Sequence, residues 1–268
     1  QKAFTLIELL VVISIIALLM AILLPSLEKA RRQARSTACQ ANLHQWGLIF
    51  SQYTSENNGF FGQGWYIPCP NPPYNVWLEH QWMKTLRPYY TDDSIRLCPN
   101  ATKPMHEVWS SREYFGQFFI AWGDFEKIFG TEVFPGYTGI GSYGLNDEFA
   151  SHCSRSSFQG SVESRRVSPT MPILLDCISF LAHANHRYWP PEYEGEYTQR
   201  QDMKHFCINR HDAHVNGLFL DSSVRKIGLK ELWILDWYPL FDTAGPWTRA
   251  GGVEPGDWPK WMRHFKDY

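Results

Sequence analysis

A long apolar segment dominates the pattern of hydrophobic and polar positions near the start of the chain. The 21 residues from Phe4 to Leu24 include a single charged side chain, Glu8. A helix needs about 20 apolar residues to cross the hydrocarbon core of a bilayer. A cleaved signal peptide would have a shorter apolar region followed by small residues, which residues 25–28 do not supply. The pattern therefore predicts that residues 4–24 form a membrane-spanning helix.

The helical pattern continues beyond this segment. Pro25 can kink a membrane helix without ending it. After it, apolar residues recur every three or four positions, and the opposite side is basic and polar. The apolar positions are Ala30, Ala34, Ala38, Leu43, Trp46, Phe50 and Tyr53, and the basic ones are Lys29, Arg31, Arg32 and Arg35. Asn57, Asn58 and Gly59 form a helix stop, so residues 4–58 are predicted to form one rod about 80 Å long.

Glu8 is the residue that a simple membrane anchor does not explain. A carboxylate inside an apolar span costs about 2.5–3.5 kcal/mol on translocon insertion scales. Its presence predicts a positively charged partner, and such a group can arrive when subunits pack together.

Residues 59–244 are predicted to form a globular head. Segment 67–75 contains four prolines and should be an extended loop. Residues 76–86 show a helical pattern that ends at Arg87 and Pro88. Residues 116–146 are expected to be irregular, with short strands.

Two further segments of the head predict strands. The apolar run 173–175 is typical of a buried strand. Residues 215–221 and 223–227 are predicted to pair as a hairpin around Asp221 and Ser222.

The stretch 245–268 forms a C-terminal extension that carries Trp247, Trp258 and Trp261 among glycines, prolines and charged residues. It is too broken for a helix before Pro259. We expect it to wrap the head or to clasp a neighbouring subunit, in preference to binding carbohydrate.

Composition narrows the classes of partner. The net charge of −2 gives no reason to expect a nucleic-acid partner. The 12 Trp, 13 Tyr and 17 Phe are many, and such residues usually fill cores and interfaces. The six cysteines form no CxxC pair, so a structural zinc site is not expected, and outside the cytoplasm they would be disulfide candidates.

Cys39 on the long helix and Cys98 in the head are the preferred disulfide. This bond would fasten the head to the rod across a loop of nearly sixty residues, which is worth about 4 kcal/mol in the chain-entropy model. The alternative is two separate buried thiols.

Two histidine pairs, His183 with His186 and His211 with His214, are candidate metal ligands. On a strand or loop, a spacing of three does not bring side chains together as it does on a helix, so no metal site is expected. A polar tie beneath the hairpin, formed by His211 and Asp221 and joined by Asp176, is the preferred interpretation.

A catalytic role is not supported by motif. Cys207 lies near His205 and His211 in sequence, and Ser222 adjoins Asp221, but no nucleophile elbow surrounds them. We expect no catalytic residues, no cofactor and no enzymatic activity.

The segment from Ala3 to Leu10 resembles the cleavage and methylation motif of type IV prepilins. The resemblance implies that residues 1–3 end a leader, that a peptidase cuts between Ala3 and Phe4, and that the new amine of Phe4 is methylated. Gly is usual where Ala3 stands. It further implies that Glu8 pairs with the amine of a neighbouring subunit and that Pro25 is the proline found near the end of the span. Implied partners are copies of the chain in a helical filament, the inner membrane, the prepilin peptidase and the assembly machinery.

Parts of the head resemble large pilin-like proteins with a DUF1559-type domain. The matching segments are Asn42–Gln45, Cys98-Pro99, Ser142–Asn146 and Leu174–Asp176. A signature of His, nine residues, then Asp-Gly is matched by His211 and Asp221, with Ser222 in place of Gly. A two-residue turn needs a positive φ there, at a cost of order 1 kcal/mol for Ser, so the turn should be wider or strained.

These observations predict an α+β fold in which a long kinked N-terminal helix packs on an antiparallel sheet with long loops. The expected function is that of a major structural subunit of a type IV pilus-like filament. The alternatives are a pseudopilin of a type II secretion-like system and a membrane-anchored binding or enzymatic domain. The resemblance places the head outside the cytoplasm, whereas the basic cluster after the span favours the opposite orientation.

Overall fold

The computed structural model describes residues 6–59, 61, 82–103, 116, 119–123, 139–149, 168–196 and 203–268. The predicted loop 67–75 and the first part of the predicted helix 76–86 lie outside the described residues. So do Ala3 and Phe4.

One helix accounts for the N-terminal pattern. Helix α1 (Leu6–Glu56) runs for 51 residues, about 77 Å, and continues through Pro25. It ends where Asn58 and Gly59 take positive φ angles of 56° and 79°. The Gly59 N–H closes the end by donating to the carbonyl of Thr54 at 2.8 Å. The predicted rod and its stop are confirmed within the described residues.

In the described part of the head, the main element is a mixed sheet of five strands. These are β3 (Tyr143–Asn146), β4 (Pro172–Asp176), β5 (Leu181–Ala182), β6 (His214–Phe219) and β7 (Val224–Gly228), in the spatial order β5-β3-β4-β6-β7. All neighbours are antiparallel except β3 and β5. Strands β1 (Trp122–Gly123) and β2 (Ile140–Gly141) form a separate pair. The α+β fold is confirmed, as are the buried strand at 173–175 and the hairpin.

Short helices complete the described elements. Helix α2 (Trp82–Leu86) continues into a 3-10 turn, Arg87–Tyr89. The α-helix therefore ends before Arg87, as predicted, but the chain keeps a tighter helical turn through Pro88. Helix α3 (Met203–Phe206) precedes β6. Further 3-10 turns span Asp93–Arg96, Asp147–Phe149 and Lys230–Ile234.

The central strands β3, β4 and β6 are buried on both faces, and residues on opposite faces of β4 and β6 pack in two different cores. Leu174 of β4 and Leu218 of β6 pack in the core that contains the second half of α1. Their neighbours Leu175 and Phe219 pack in the core that contains Trp237. The alternation follows from the two-residue period of a strand.

The second half of α1 is fixed to the head by one buried face. Leu43 and Trp46 are fully buried, and Phe50 is nearly so. Gly47 lets the helix approach β6, since a Cβ there would lie 3.1 Å from a methyl carbon of Leu218. The alanines at 30, 34 and 38 are exposed, so that part of the predicted stripe does not contact the head.

The C-terminal extension wraps the head. Trp258 and Met262 are buried in the core on the sheet face away from α1. Lys230, itself buried, donates to Asp267 at 2.7 Å, and the Trp261 indole N–H donates to the carbonyl of Pro191 at 2.9 Å. Of the two predicted roles, wrapping is the one present in the described residues.

The hairpin turn between β6 and β7 is wider than two residues. The Ser222 N–H donates to the Phe219 carbonyl, and the Phe219 N–H donates to the Ser223 carbonyl, both at 2.9 Å. Ser222 has a φ of 64°. This is the three-residue loop in which the last position is left-handed, a place that glycine usually occupies.

We expect Ser222→Gly to raise the free energy of unfolding by about 0.5–1 kcal/mol, because glycine adopts the left-handed conformation without steric cost. Ser223→Gly is the matched control. Its φ is not positive, so the added chain entropy should lower the same quantity by a similar amount. Urea titration of the detergent-solubilised chain measures both. Equal destabilisation by the two variants would contradict this account of the turn.

Candidate functional site

The first half of α1 is an uncovered apolar surface. Every residue from Leu6 to Leu24 is exposed, and the large apolar side chains among them are 45–78% exposed. This segment has the length and composition of a membrane-spanning helix. Its contrast with the second half of the same helix, which is buried against the head, divides α1 into two functional parts.

Glu8 lies in this surface, near the start of α1. Pro25 marks its other end, inside the continuous helix. Beyond the apolar surface the basic side chains begin, and Arg32 forms an exposed ion pair with Asp212 of the head at 3.3 Å. Exposed pairs of this kind contribute little stability, so the buried face of α1, not this contact, holds the head.

A cluster of buried polar side chains lies between α1 and the sheet. Its members are Cys39, Cys98, Asp176 and His211, and one candidate ligand atom from each lies within 4.8 Å of the others. Cys39 comes from the buried face of α1 and Asp176 from the end of β4. Cys98 follows the 3-10 turn Asp93–Arg96, and His211 precedes β6.

The register of the sheet sets the position of Asp176. Tyr143 is its partner on β3, and Leu175 of β4 pairs with Gly217, which places Asn216 beside Asp176. The Asn216 N–H donates to Asp176 Oδ2 at 2.8 Å, and the Tyr143 hydroxyl donates to Cys39 Sγ at 3.3 Å. One row of residues across three strands therefore faces Cys39 on the helix.

The turn that follows His211 sets the orientation of its side chain and has an unusual backbone conformation. Asp212 and Ala213 have φ angles of 55° and 64°, which non-glycine residues seldom adopt. The His211 N–H donates to the carbonyl of His214 at 3.0 Å across this turn. The ring then lies with Nε2 at 3.3 Å from both Cys98 Sγ and Asp176 Oδ2, and with Nδ1 at 3.3 Å from the side-chain nitrogen of Asn100.

Charges within the cluster shift its pKa values. Burial alone would raise the pKa of Asp176, but His211, Arg210 and the Asn216 N–H outweigh it and lower that pKa to about 2. Burial would lower the pKa of His211, but Asp176 and Cys98 raise it to about 9. Burial raises the pKa of Cys39 well above its usual value, with Cys98 and Asp176 adding to the effect. Positive groups in the cluster therefore face Asp176, while Cys39 favours its neutral form.

Arg210 completes the surroundings of the cluster. It is fully buried, and its Nη1 lies 3.2 Å from Asp176 Oδ1 and donates to the carbonyl of Ser142. Its Nη2 donates to the carbonyl of Cys177 at 3.3 Å. A buried arginine with these partners supplies the counter-charge that a buried carboxylate requires.

The predicted Cys39–Cys98 disulfide is absent: the two side chains meet, but both are free thiols. The prediction was correct about proximity, because the buried face of α1 carries Cys39 to the segment that contains Cys98. The Asn42 side chain donates to the carbonyl of Leu97 at 2.9 Å and holds that segment on the helix.

The predicted polar tie is only partly present. His211 and Asp176 are in contact, as expected. Asp221 is not part of the tie, which corrects the prediction: it is exposed in the hairpin turn and accepts from the Ser223 N–H at 2.9 Å. Strand β6 separates the two, with His211 before its start and Asp221 after its end.

The four-residue grouping was missed from the sequence. Its members come from four distant segments, and the cysteine spacing shows no local pair. Two separate predictions, the disulfide and the polar tie, each contained half of it. Of the histidines in the two candidate pairs, His183 stacks on Tyr238, and His214 lies against the carbonyl of Asp212.

The N-terminal segment matches a known family. The family described as prokaryotic N-terminal methylation motif matches residues 1–24. Over 59 residues the chain is 46% identical to the type IV wide pilus major component PilA4 of Thermus thermophilus. The N-terminal part of the chain is therefore type IV pilin-like.

These matches cover a limited part of each chain. The similarity to PilA4 includes 22% of the pilin-like chain and spans 45%, less than half, of PilA4. No solved structure matches the pilin-like chain. The resemblance of its head to DUF1559-type domains therefore stays a prediction.

Within the pilin-like chain, the family match includes Glu8 and ends one residue before Pro25. It coincides with the uncovered apolar half of α1. The buried cluster lies outside residues 1–24, in the part of the protein where the helix meets the head.

Proposed function

We propose that this pilin-like chain is the major structural subunit of a type IV pilus-like extracellular filament. The observation that carries the proposal is the division of α1 into an uncovered apolar half and a half buried in the head. The name of the relative PilA4, a pilus major component, favours a pilus subunit over a pseudopilin.

An exposed apolar surface of this length requires a nonpolar environment. Soluble proteins seldom expose contiguous apolar patches larger than a few hundred Å². Before assembly the inner membrane provides that environment for residues 4–24. In a filament, the same surfaces of neighbouring copies bury one another, and the membrane is exchanged for a protein core.

Processing at the start of the chain would supply the partner of Glu8. Cleavage between Ala3 and Phe4 by a prepilin peptidase leaves an amine four positions before this carboxylate. In an apolar core an unpaired ammonium and an unpaired carboxylate are each costly, and one contact between adjacent subunits relieves both. Dedicated assembly machinery would extract the subunit from the membrane.

The proposed orientation places the head outside the cytoplasm, first at the outer face of the inner membrane and then on the filament surface. The basic residues that follow the span, among them Arg31 and Arg35, would then lie on the outer side. Basic residues next to a membrane span usually lie on the cytoplasmic side, which would favour the opposite orientation. The proposal nevertheless places the head outside, because a surface filament cannot assemble from heads in the cytoplasm.

The proposed role is structural, with no catalysis, no cofactor and no nucleic-acid partner. The thiol that sequence proximity suggested as a nucleophile, Cys207, is buried against Met262 at 4.0 Å between sulfur atoms. Burial raises the pKa of Cys207, with Lys204 opposing, so the reactive thiolate is disfavoured. Its environment is that of a core residue.

Immunogold electron microscopy of the native cells tests the proposal. Antibodies against the head should decorate long surface fibres along their length, and deletion of the gene should remove those fibres. Labelling only at the cell envelope, with secretion lost on deletion, would indicate a pseudopilin. Envelope labelling with neither fibres nor a secretion defect would indicate a tethered domain and would contradict assembly.

A further inference from the structure

The cluster between α1 and the sheet has the composition of a metal site. It brings together two thiols, one imidazole and one carboxylate, all four from buried residues. Asp176 and the two cysteines are fully buried, and His211 is 7% exposed. Thiolate and imidazole ligands together favour zinc over the hard cations magnesium and calcium, which prefer oxygen.

The distances fit a tetrahedral ion. Zinc binds sulfur at about 2.3 Å and nitrogen or oxygen at about 2.0–2.2 Å, which places adjacent ligand atoms about 3.3–3.8 Å apart. Here Cys98 Sγ and Asp176 Oδ2 each lie 3.3 Å from His211 Nε2. Cys39 Sγ lies 3.6 Å from Asp176 Oδ1 and 3.7 Å from Oδ2. The remaining pairs are within 4.8 Å, so small side-chain movements close the tetrahedron.

The charges also balance. Two thiolates and a carboxylate around Zn²⁺ leave a net charge of −1, and the buried guanidinium of Arg210 beside Asp176 neutralises it. Burial of an ion group in a protein interior requires this kind of compensation. All three non-carboxylate ligand atoms, the two sulfurs and His211 Nε2, must be free of protons to bind the ion, so any proton that they carry is released on binding.

Outer contacts hold the candidate ligands in place. The Asn216 N–H and Arg210 fix the Asp176 carboxylate, and the Tyr143 hydroxyl reaches Cys39 Sγ. Partners of this kind orient the ligands of metal sites. Metal at His211 Nε2 leaves the ring proton on Nδ1, so the Asn100 side chain would turn its oxygen to that proton. The amide nitrogen now donates to the carbonyl of Arg210 at 2.8 Å, and that contact would be lost.

We propose that Cys39, Cys98, Asp176 and His211 bind one Zn²⁺ ion in a tetrahedral site that fastens the long helix to the head. The four ligands come from α1, the segment before Ala101, the end of β4 and the turn before β6. A single ion thus joins four segments that are distant in sequence, at the place where a disulfide was expected. The proposal concerns the contact between α1 and the head, and it stands or falls independently of filament assembly.

Elemental analysis of the untagged full chain tests the site. The chain, produced in zinc-containing medium and purified in detergent without chelator, should contain one zinc per molecule. Replacement by Co²⁺ should give the intense visible absorption of a tetrahedral ion and a thiolate-to-metal charge-transfer band. A strong chelator should remove the metal and lower the midpoint of thermal unfolding by more than about 5 °C.

Variants locate the metal. His211→Ala, Cys39→Ser and Cys98→Ser should each lose the zinc and the cobalt spectrum. His214→Ala is the matched control, because this histidine is three residues from His211 and lies against the carbonyl of Asp212, outside the cluster. It should retain the full metal content.

Three results would overturn the proposal. The first is wild-type chain that contains no zinc and gives no tetrahedral cobalt spectrum. The second is mass spectrometry of non-reduced peptides that finds Cys39 joined to Cys98 by a disulfide. The third is a folded His211→Ala variant with undiminished zinc. Since the first two use the wild-type chain, the test does not depend on whether the variants fold.

Discussion

Glu8→Ala should abolish filaments while leaving the subunit in the membrane. Without Glu8, the amine of an adjacent subunit has no carboxylate partner in the apolar core. A charge left in such surroundings costs about 2.5–3.5 kcal/mol, which weakens subunit addition by about a hundredfold or more. Loss of the same charge makes the apolar span easier to insert. Fibre counts by electron microscopy and subunit levels by immunoblot of membranes measure both effects.

Glu28→Ala is the matched control for this variant. Glu28 is an exposed glutamate on the same helix, beyond Pro25 and outside the apolar segment. Its removal should leave fibres at wild-type numbers. Glu8→Gln separates charge from size and should fail like Glu8→Ala. Wild-type numbers of fibres from cells that carry Glu8→Ala would show that this carboxylate has no role in assembly.

Trp46→Ala should produce the largest loss of stability in the head, about 3–5 kcal/mol in the free energy of unfolding. The side chain is fully buried, and its ring contacts those of Trp82 and Tyr90 with centroids 5.1 and 5.0 Å away. Its indole N–H donates to the carbonyl of Ile95 at 2.9 Å. Truncation leaves a cavity between α1 and the head and an unpaired buried carbonyl.

Two further variants calibrate the result for Trp46. Trp46→Phe keeps most of the ring but loses the hydrogen bond, so about 1–2 kcal/mol should be lost. Leu48→Ala is the matched control on the same helix, since Leu48 is 73% exposed, and its effect should stay within about 0.5 kcal/mol. Denaturant unfolding of the solubilised chain measures all three. Comparable losses for Trp46→Ala and Leu48→Ala would contradict the observed packing face.

Elements with a strong local pattern were predictable from the sequence. The apolar segment, the stripe from Leu43 to Tyr53 and the stop at Gly59 determine α1 almost to the residue. Strands β4, β6 and β7 follow from a short apolar run and from an alternating pair around a turn. In each case the period of the hydrophobic pattern and the adjacent turn residues are local signals.

The helical spacing of Ala30, Ala34 and Ala38 did not reveal that these residues are exposed. Their spacing is helical, but a helical period alone does not say which face is covered. In the structure the buried face begins at Ser36 and Cys39. The position of the head on the rod is a tertiary feature, and it alone decides which residues of α1 are buried and which stay exposed.

The buried cluster shows the same limit for the candidate site. Asp176, His211 and Cys98 meet because of strand register and a left-handed turn at Asp212 and Ala213. Strand register has no sequence signal of its own, and the turn has only a weak one, since Asp212 tolerates the left-handed conformation whereas Ala213 does not favour it. The wider hairpin loop at Ser222, by contrast, was predictable, because serine in place of glycine disfavours a two-residue turn.

A helical reconstruction of the surface fibres by electron cryomicroscopy tests most directly whether α1 assembles the chain into a filament. Assembly of the filament through α1 predicts fibres whose side-chain density fits this sequence, with residues 6–24 at the axis, Glu8 next to the amine of an adjacent subunit, and the head outside. Fibres built from a different protein, or subunits of this chain joined through their heads with the apolar half of α1 away from the axis, would contradict it.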